Sequence, residues 1–138
     1  MRWSFVAITE ADIDPLLELE RACFAEPWSR LSFTNEFNCR DSLIFGAQGG
    51  LDGDRHLLTG YICFRLMLDE MHIFKIAVAP RWQRRGIASW LVDESTGEAV
   101  AVTPGTGYTF VMNGLSRSFT WEFSGNLKKN TGKLKKNK

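Results

Sequence analysis

The sequence predicts a single compact domain of α/β or α+β type, and three observations carry that expectation. At 138 residues and 44% hydrophobic content, the chain is long enough for one substantial core and too short for two ordinary ones. Strand-like runs rich in β-branched residues alternate with segments of helical apolar spacing. No run approaches the ~18 to 20 apolar residues of a membrane helix, and Met1-Arg2-Trp3-Ser4-Phe5 lacks the apolar core of a signal peptide. A cytoplasmic protein with no membrane partner is expected.

Residues 5–8 read as a short first strand, and Asp14-Pro15 supplies an N-cap followed by proline at the first helical position. Leu16, Leu19 and Cys23, flanked by Leu17 and Phe24, give this helix its apolar face. Glu26-Pro27-Trp28-Ser29 breaks it, because proline cannot extend the hydrogen-bond ladder. Ser29 then caps a second helix carrying Leu31, Phe33 and Phe37. Residues 43–48 look like a strand, joined through the turn-rich Gly49-Gly50-Leu51-Asp52-Gly53-Asp54 to another over 57–68, as an antiparallel hairpin. Asp69-Glu70 interrupts the apolar pattern. A further strand over 71–79, with Ile73, Ile76 and Val78 as its β-branched residues, ends at Pro80.

From Gly86 the spacing is helical, with Ile87, Trp90, Leu91 and Val92 near one face and Asp93-Glu94 on the other. Gly97 costs such a helix roughly 1 kcal/mol, so the helix ends there or runs weakly on to 102, before Pro104-Gly105. Residues 108–112 read as the next strand, and beyond Asn113 the signals fade. The six lysines of residues 126–138 turn a net charge of +1 for the whole chain into −5 for the remainder. That tract has too few apolar groups to fold alone, so one domain over 1–125 is expected to precede a disordered basic tail over 126–138. An acidic body argues against a nucleic-acid-binding core, and any RNA contact would run through the tail.

Cys23, Cys39 and Cys63 are odd in number and widely spaced, which predicts buried reduced thiols and no metal centre. His56 sits in a polar loop, whereas His72 opens a strand and is either structural or site-lining.

The informative segment is Ile76-Ala77-Val78-Ala79-Pro80-Arg81-Trp82-Gln83-Arg84-Arg85-Gly86-Ile87-Ala88-Ser89: a strand, a basic turn with one glycine, and a helix start. Unpaired N–H groups in a first helical turn point outward, the helix dipole favours negative charge there, and glycine admits a phosphate close to the backbone. Such a turn suits an anion. Arg84 and Arg85 add charge to it or are simply solvated.

Gln83-Arg84-Arg85-Gly86-Ile87-Ala88 resembles the Q/R-x-x-G-x-G/A signature with which GNAT acetyltransferases hold the pyrophosphate of coenzyme A, and Val78-Ala79-Pro80 precedes it where that family has a V-x-P segment. The resemblance narrows toward the bacterial ribosomal-protein-alanine N-acetyltransferases, the RimI type. It is carried by Ile8-Thr9-Glu10-Ala11-Asp12, Glu18-Leu19-Glu20, Phe24-Ala25-Glu26-Pro27-Trp28-Ser29 and Leu68-Asp69-Glu70, over about residues 5–94. It implies a mixed, mostly antiparallel sheet flanked by helices, with a C-terminal part that is atypical or incomplete. It also implies acetyl-CoA as co-substrate and no metal. The pantetheine arm would lie along Ile76, Ala77 and Val78, and the pyrophosphate at Arg84, Arg85, Gly86, Ile87, Ala88 and Ser89. An extended amide-bearing ligand held on an open strand edge is physically reasonable by itself.

The resemblance stops after Glu94. The family's catalytic glutamate strand and tyrosine-bearing helix have no recognisable counterpart: residues 107–113 contain no acid, Asn113 is a partial echo, and Phe119-Thr120-Trp121-Glu122-Phe123 does not match. A reading-frame change, a replaced C-terminus or ordinary divergence would each produce this. The catalytic acid and base are unassigned, with Glu70 the best surviving candidate to line the amine site. Tyr61 and Tyr108 are read as core or surface residues. The implied activity is acetyl transfer to a protein or peptide N-terminal α-amine, by resemblance that of a small-subunit ribosomal protein. An impaired acyl-CoA-binding module and a tail-driven RNA or ribosome binder are the alternatives.

Overall fold

In a computed structural model, residues 2–50, 57–67, 70–101, 120–126 and 131–137 are described. They form β1 (Arg2–Ala7), α1 (Ile13–Cys23), α2 (Arg30–Phe37), β2 (Ser42–Gly50), β3 (Leu58–Met67), β4 (Glu70–Val78), α3 (Ile87–Ala101), β5 (Thr120–Asn126) and β6 (Thr131–Asn137). The strands make one sheet in the order β1-β2-β3-β4-β6-β5, with every pairing among the described residues antiparallel. α1 and α2 cover one face and α3 the other, giving the three-layer arrangement of a mixed α/β fold.

The strand alternation assigns the two faces. Ile44, Tyr61, Cys63 and Ala77 pack under α1 and α2 with Ile13, Leu16, Leu19 and Phe33. Phe45, Ile62, Phe64, Ile76 and Val78 pack against Ile87 and Leu91 of α3. α1 begins two residues earlier than Asp14-Pro15 suggests, at Ile13. A short 3-10 turn over Glu10–Asp12 runs into it, closed by a capping box in which the Thr9 hydroxyl accepts from the Ala11 N–H and the Asp12 carboxylate accepts from the Thr9 N–H. Asp14 instead lies in the first turn and pairs with Arg30. Ser29 caps α2 as the sequence predicts, its hydroxyl accepting from the Ser32 N–H at 3.1 Å. α3 runs through Gly97 to Ala101.

β4 contains an extra residue. Cys63 lies opposite Lys75 and Phe64 opposite Ile73, so Phe74 has no partner on β3 and forms a bulge. Its effect is visible in the packing: Ile73 and Ile76, three apart, share the α3-side core, while Phe74 joins the opposite cluster. The bulge is held from that side. The Arg65 guanidinium lies 4.4 Å from the centroid of the Phe74 ring, and Glu36 on α2 accepts from Arg65 Nε and Nη2 at 2.9 and 2.8 Å.

The lysine-rich end departs from the expected disordered tail, because residues 131–137 form β6 between β4 and β5. Composition counts what a segment can bury alone, whereas a strand added to an existing sheet borrows a partner's backbone hydrogen-bonding groups. Here the register sets Leu134 between Met71 and Phe123, and Lys135 between Glu70 and Glu122. The expected strand over 108–112 lies outside the described residues.

Burial raises the Glu36 pKa, but hydrogen bonds from Arg65, Ser42 and Cys63 and the charge of Arg65 together outweigh it and hold the carboxyl below the ordinary glutamate range. A depressed carboxyl stabilises the fold above its unfolded pKa of ~4.3 and loses that contribution as pH falls through the folded value. Glu36→Gln should therefore cost about 1.5–3 kcal/mol at pH 7, the worth of a hydrogen bond to a charged group. The gap to the parent protein should shrink below about pH 4. Urea unfolding across pH 3–7 measures this; a gap independent of pH would contradict the account of the Arg65 clamp.

Candidate functional site

Among the described residues, the second ladder of β4 ends just before the bulge. Among the described residues, pairing with β6 covers only Glu70 to Ile73, and β4 continues to Val78. The backbone geometry of residues 76–78 follows from one bond: the Ala79 N–H donates to the Thr59 carbonyl on β3 at 2.8 Å. Across a trans peptide the Val78 carbonyl must then point away from β3, toward the open edge. Alternation turns the Ala77 main chain inward to β3 and that of Ile76 outward again. Of the three strand residues singled out in the sequence, Ile76 and Val78 thus present main-chain groups to the edge. Ala77 contributes its side chain to the α1-side core.

At the end of this edge lies the basic turn. A 3-10 turn over Pro80–Trp82 carries the chain away from β4 and buries Trp82, whose ring centroid is 5.3 Å from the Arg81 guanidinium and 5.2 Å from that of Arg85. Arg84 and Gly86 both adopt positive φ, 63° and 84°. A Cβ on Gly86 would meet nothing within 4 Å, so the glycine faces open space and is not packed against neighbouring atoms. Its carbonyl accepts the first α3 bond, from the Trp90 N–H at 3.0 Å. The N–H groups of Ile87, Ala88 and Ser89 therefore have no acceptor within the helix. Arg81, Arg84 and Arg85 are exposed around this terminus, Ser89 is exposed, and Ile87 anchors the turn in the core. The structure brings Arg84, Arg85, Gly86, Ile87, Ala88 and Ser89 into one basic turn at the start of α3; Arg81 joins them, and its contact with the Trp82 ring was not legible in the sequence.

The other wall of the open edge is the segment after α1. The Cys23 thiol donates to the Val78 carbonyl at 3.3 Å, and the Lys75 ammonium lies 4.2 Å from the Phe24 ring and 4.8 Å from the Trp28 ring. Residues 23–28 thus follow β4 from Val78 back to Lys75. What ties them down is Glu20, a carboxylate with no exposed surface. It accepts from the Trp28 N–H at 2.7 Å, from Lys75 at 2.6 Å and from the Tyr61 hydroxyl at 2.5 Å. Sequence reasoning missed this junction. The available signal was Glu20 itself, a carboxylate in step with the apolar stripe of Ile13, Leu16 and Leu19.

Burial, reinforced by the Glu20 charge, raises the Tyr61 pKa far above that of a free phenol, so Tyr61 is a core residue and no proton donor at neutral pH. Burial likewise pushes the Cys63 thiol up to about 12 and raises that of Cys23. All three cysteines are free, but only Cys63 is fully buried; Cys23 and Cys39 are half-buried. Glu70 is the first residue of β4, in register with Met67 and Lys135 and at the opposite end of the strand from Val78. His72 is half-buried in β4, opposite Arg65. His56, Tyr108 and Asn113 lie outside the described residues. Among the described residues, no three metal-ligating side chains converge and no helix is long and apolar enough to cross a membrane.

Residues 13–112 match the family described as Acetyltransferase (GNAT) family. No curated protein sequence matches the chain. The ribosomal-protein-S18-alanine N-acetyltransferase from Escherichia coli is similar in structure, with a TM-score of 0.61 at 18% identity over 96% of this chain and 90% of that one. NAA60 from Arabidopsis thaliana, solved with acetyl-CoA, gives 0.63 at 16% identity over 99% of both chains. The PaiA N-acetyltransferase from Thermoplasma acidophilum, solved with coenzyme A, gives 0.64 at 16% identity over 99% of this chain and 100% of that one. At such identities these likenesses speak for the fold.

The Glu20 junction yields a stability test. Lys75→Met removes the ammonium from a carboxylate whose side chain is 0% exposed, and stranding one partner of a buried pair costs about 3–5 kcal/mol. The double variant Glu20→Gln/Lys75→Met, which removes both charges, should recover most of that loss in urea unfolding. A single-variant cost under about 1 kcal/mol, the worth of a surface pair, would show that the pair is not buried in solution.

Proposed function

This chain belongs to the acetyltransferase (GNAT) family, and from that premise we propose that it transfers the acetyl group of acetyl-CoA to the α-amino group of a protein or peptide N-terminus. The observation that carries the reading is the continuity between the open β4 edge at Ile76 and Val78 and the electropositive start of α3 at Gly86. An extended chain bearing amides and ending in a pyrophosphate matches both halves. Its amides complement an unladdered strand edge, and its phosphates complement free N–H groups, a helix dipole and three arginines. The open space before Gly86 is where phosphate oxygens would approach the backbone.

Acetyl transfer joins the amine nitrogen to the thioester carbonyl carbon and releases the thiolate of coenzyme A. The amine must attack in its neutral form, and an α-amine with a pKa of ~7.7–8 is far closer to that form at neutral pH than a lysine at ~10.4. The chain's own contribution is alignment: β4 and the turn hold the donor, and residues 23–28, pinned by Glu20, wall the approach from the α1 side. The likeness to the ribosomal-protein-alanine enzymes supports a small-subunit ribosomal protein as acceptor and the cytoplasm as location. A second reading, an acyl-CoA-binding module of low turnover, is favoured by the fate of Tyr61. Its hydroxyl is committed to Glu20 and unavailable to protonate a departing thiolate.

Gly86→Asp tests the phosphate turn. Positive φ strains a side chain at this position, less for aspartate than for most, but the site is spacious and at the surface, so the fold should persist, while a carboxylate placed before the phosphates should weaken acetyl-CoA binding by more than about tenfold in calorimetry, the equivalent of ~1.4 kcal/mol. Unchanged affinity would remove the assignment. Incubating the protein with acetyl-CoA and peptides carrying both amine types should give mass-spectrometric acetylation at the N-terminus. Modification confined to lysine side chains would contradict the acceptor, and binding without turnover would establish the second reading.

A further inference from the structure

We propose that Gln83 and Cys23 compete with the amide arm of acetyl-CoA for the Val78 carbonyl, so that the side chain of Gln83 limits how tightly the co-substrate is held; this rests on the acetyl-CoA reading above. The Val78 carbonyl points to the open edge, because its peptide partner, the Ala79 N–H, is committed to β3. That oxygen accepts from Gln83 Nε2 at 2.9 Å and from the Cys23 thiol at 3.3 Å. A carbonyl oxygen has two lone pairs, and both are engaged.

An amide-bearing ligand laid along this edge therefore meets an acceptor already in use and gains a bond at Val78 only by displacing one of the chain's own. Gln83 is the main competitor, being the nearer and stronger donor. It belongs to the exposed turn, so its amide exchanges Val78 for water at small cost. Cys23 sits on the last turn of α1 and offers only a weak S–H donor. The residue that opens the anion-binding turn thus also occupies the strand edge leading to it, and the two halves of the ligand are coupled through one side chain.

Replacing Gln83 with methionine keeps its length and removes the donor. Gln83→Met should bind acetyl-CoA about 2- to 10-fold more tightly in calorimetry, the equivalent of one net hydrogen bond. It should leave unchanged the affinity for 3′-phospho-ADP, which has the pyrophosphate but no amide arm. Cys23→Ala should shift acetyl-CoA affinity in the same direction and by less. Equal or weaker acetyl-CoA binding by Gln83→Met, or an equal change for both ligands, would overturn the competition and make Gln83 a structural element of the turn. If neither the parent protein nor the variants bind acetyl-CoA, the reading of the site fails and this inference with it.

Discussion

The bulge at Phe74 is the local break on which the rest of the site depends, because it changes the phase of β4 halfway along the strand. Before it, β4 is bonded on both sides, to β3 and to β6; after it, among the described residues, β4 keeps β3 alone. An unladdered edge in the middle of a sheet is normally a liability, since its free N–H and C=O groups invite another strand. Here it is bordered by residues 23–28 on the α1 side and ends in a basic helix start. A ligand with its own amides is the natural partner of such an edge.

A bulge held by backbone alone would slide, and two buried carboxylates prevent that from the helical layer above. Glu36 fixes Arg65 over Phe74, and Glu20 fixes Lys75 one residue further on. Each carboxylate is desolvated and each is satisfied by several donors, the condition under which a buried charge is tolerable. The same bonds reach beyond β4. Through the Trp28 N–H, Glu20 orients the segment bordering the open edge, so the position of that wall and the phase of the strand are set by one cluster spanning α1, β3 and β4.

The electrostatics of the turn are arranged in the opposite way. Arg81, Arg84 and Arg85 are exposed and stand around helix N–H groups that have no acceptor within α3, so positive charge and donors accumulate where solvent or a ligand can reach them. Buried charges on one side of β4 are spent on rigidity, and the charges at its end lie exposed. That division separates what shapes the site from what would bind in it.

The sequence by itself determined the elements whose causes are local. Proline and serine at Pro27 and Ser29 end one helix and cap the next, the strand-like runs over 43–48 and 57–68 pair as the expected antiparallel hairpin, and Gly86 between arginines and a helical run marks the turn into α3. Only the tertiary structure decided matters of register. Whether Ile76, Ala77 or Val78 faces the open edge depends on which of them bonds β3. That Glu20, Tyr61 and Lys75 meet depends on α1 crossing β3 and β4, across 41 and 55 residues of chain. The lysine-rich end makes the same point, because its strand forms on backbone groups and a register that β4 and β5 supply. Pattern and spacing specify what a segment can become; partners distant in sequence decide which of its faces and edges are left free.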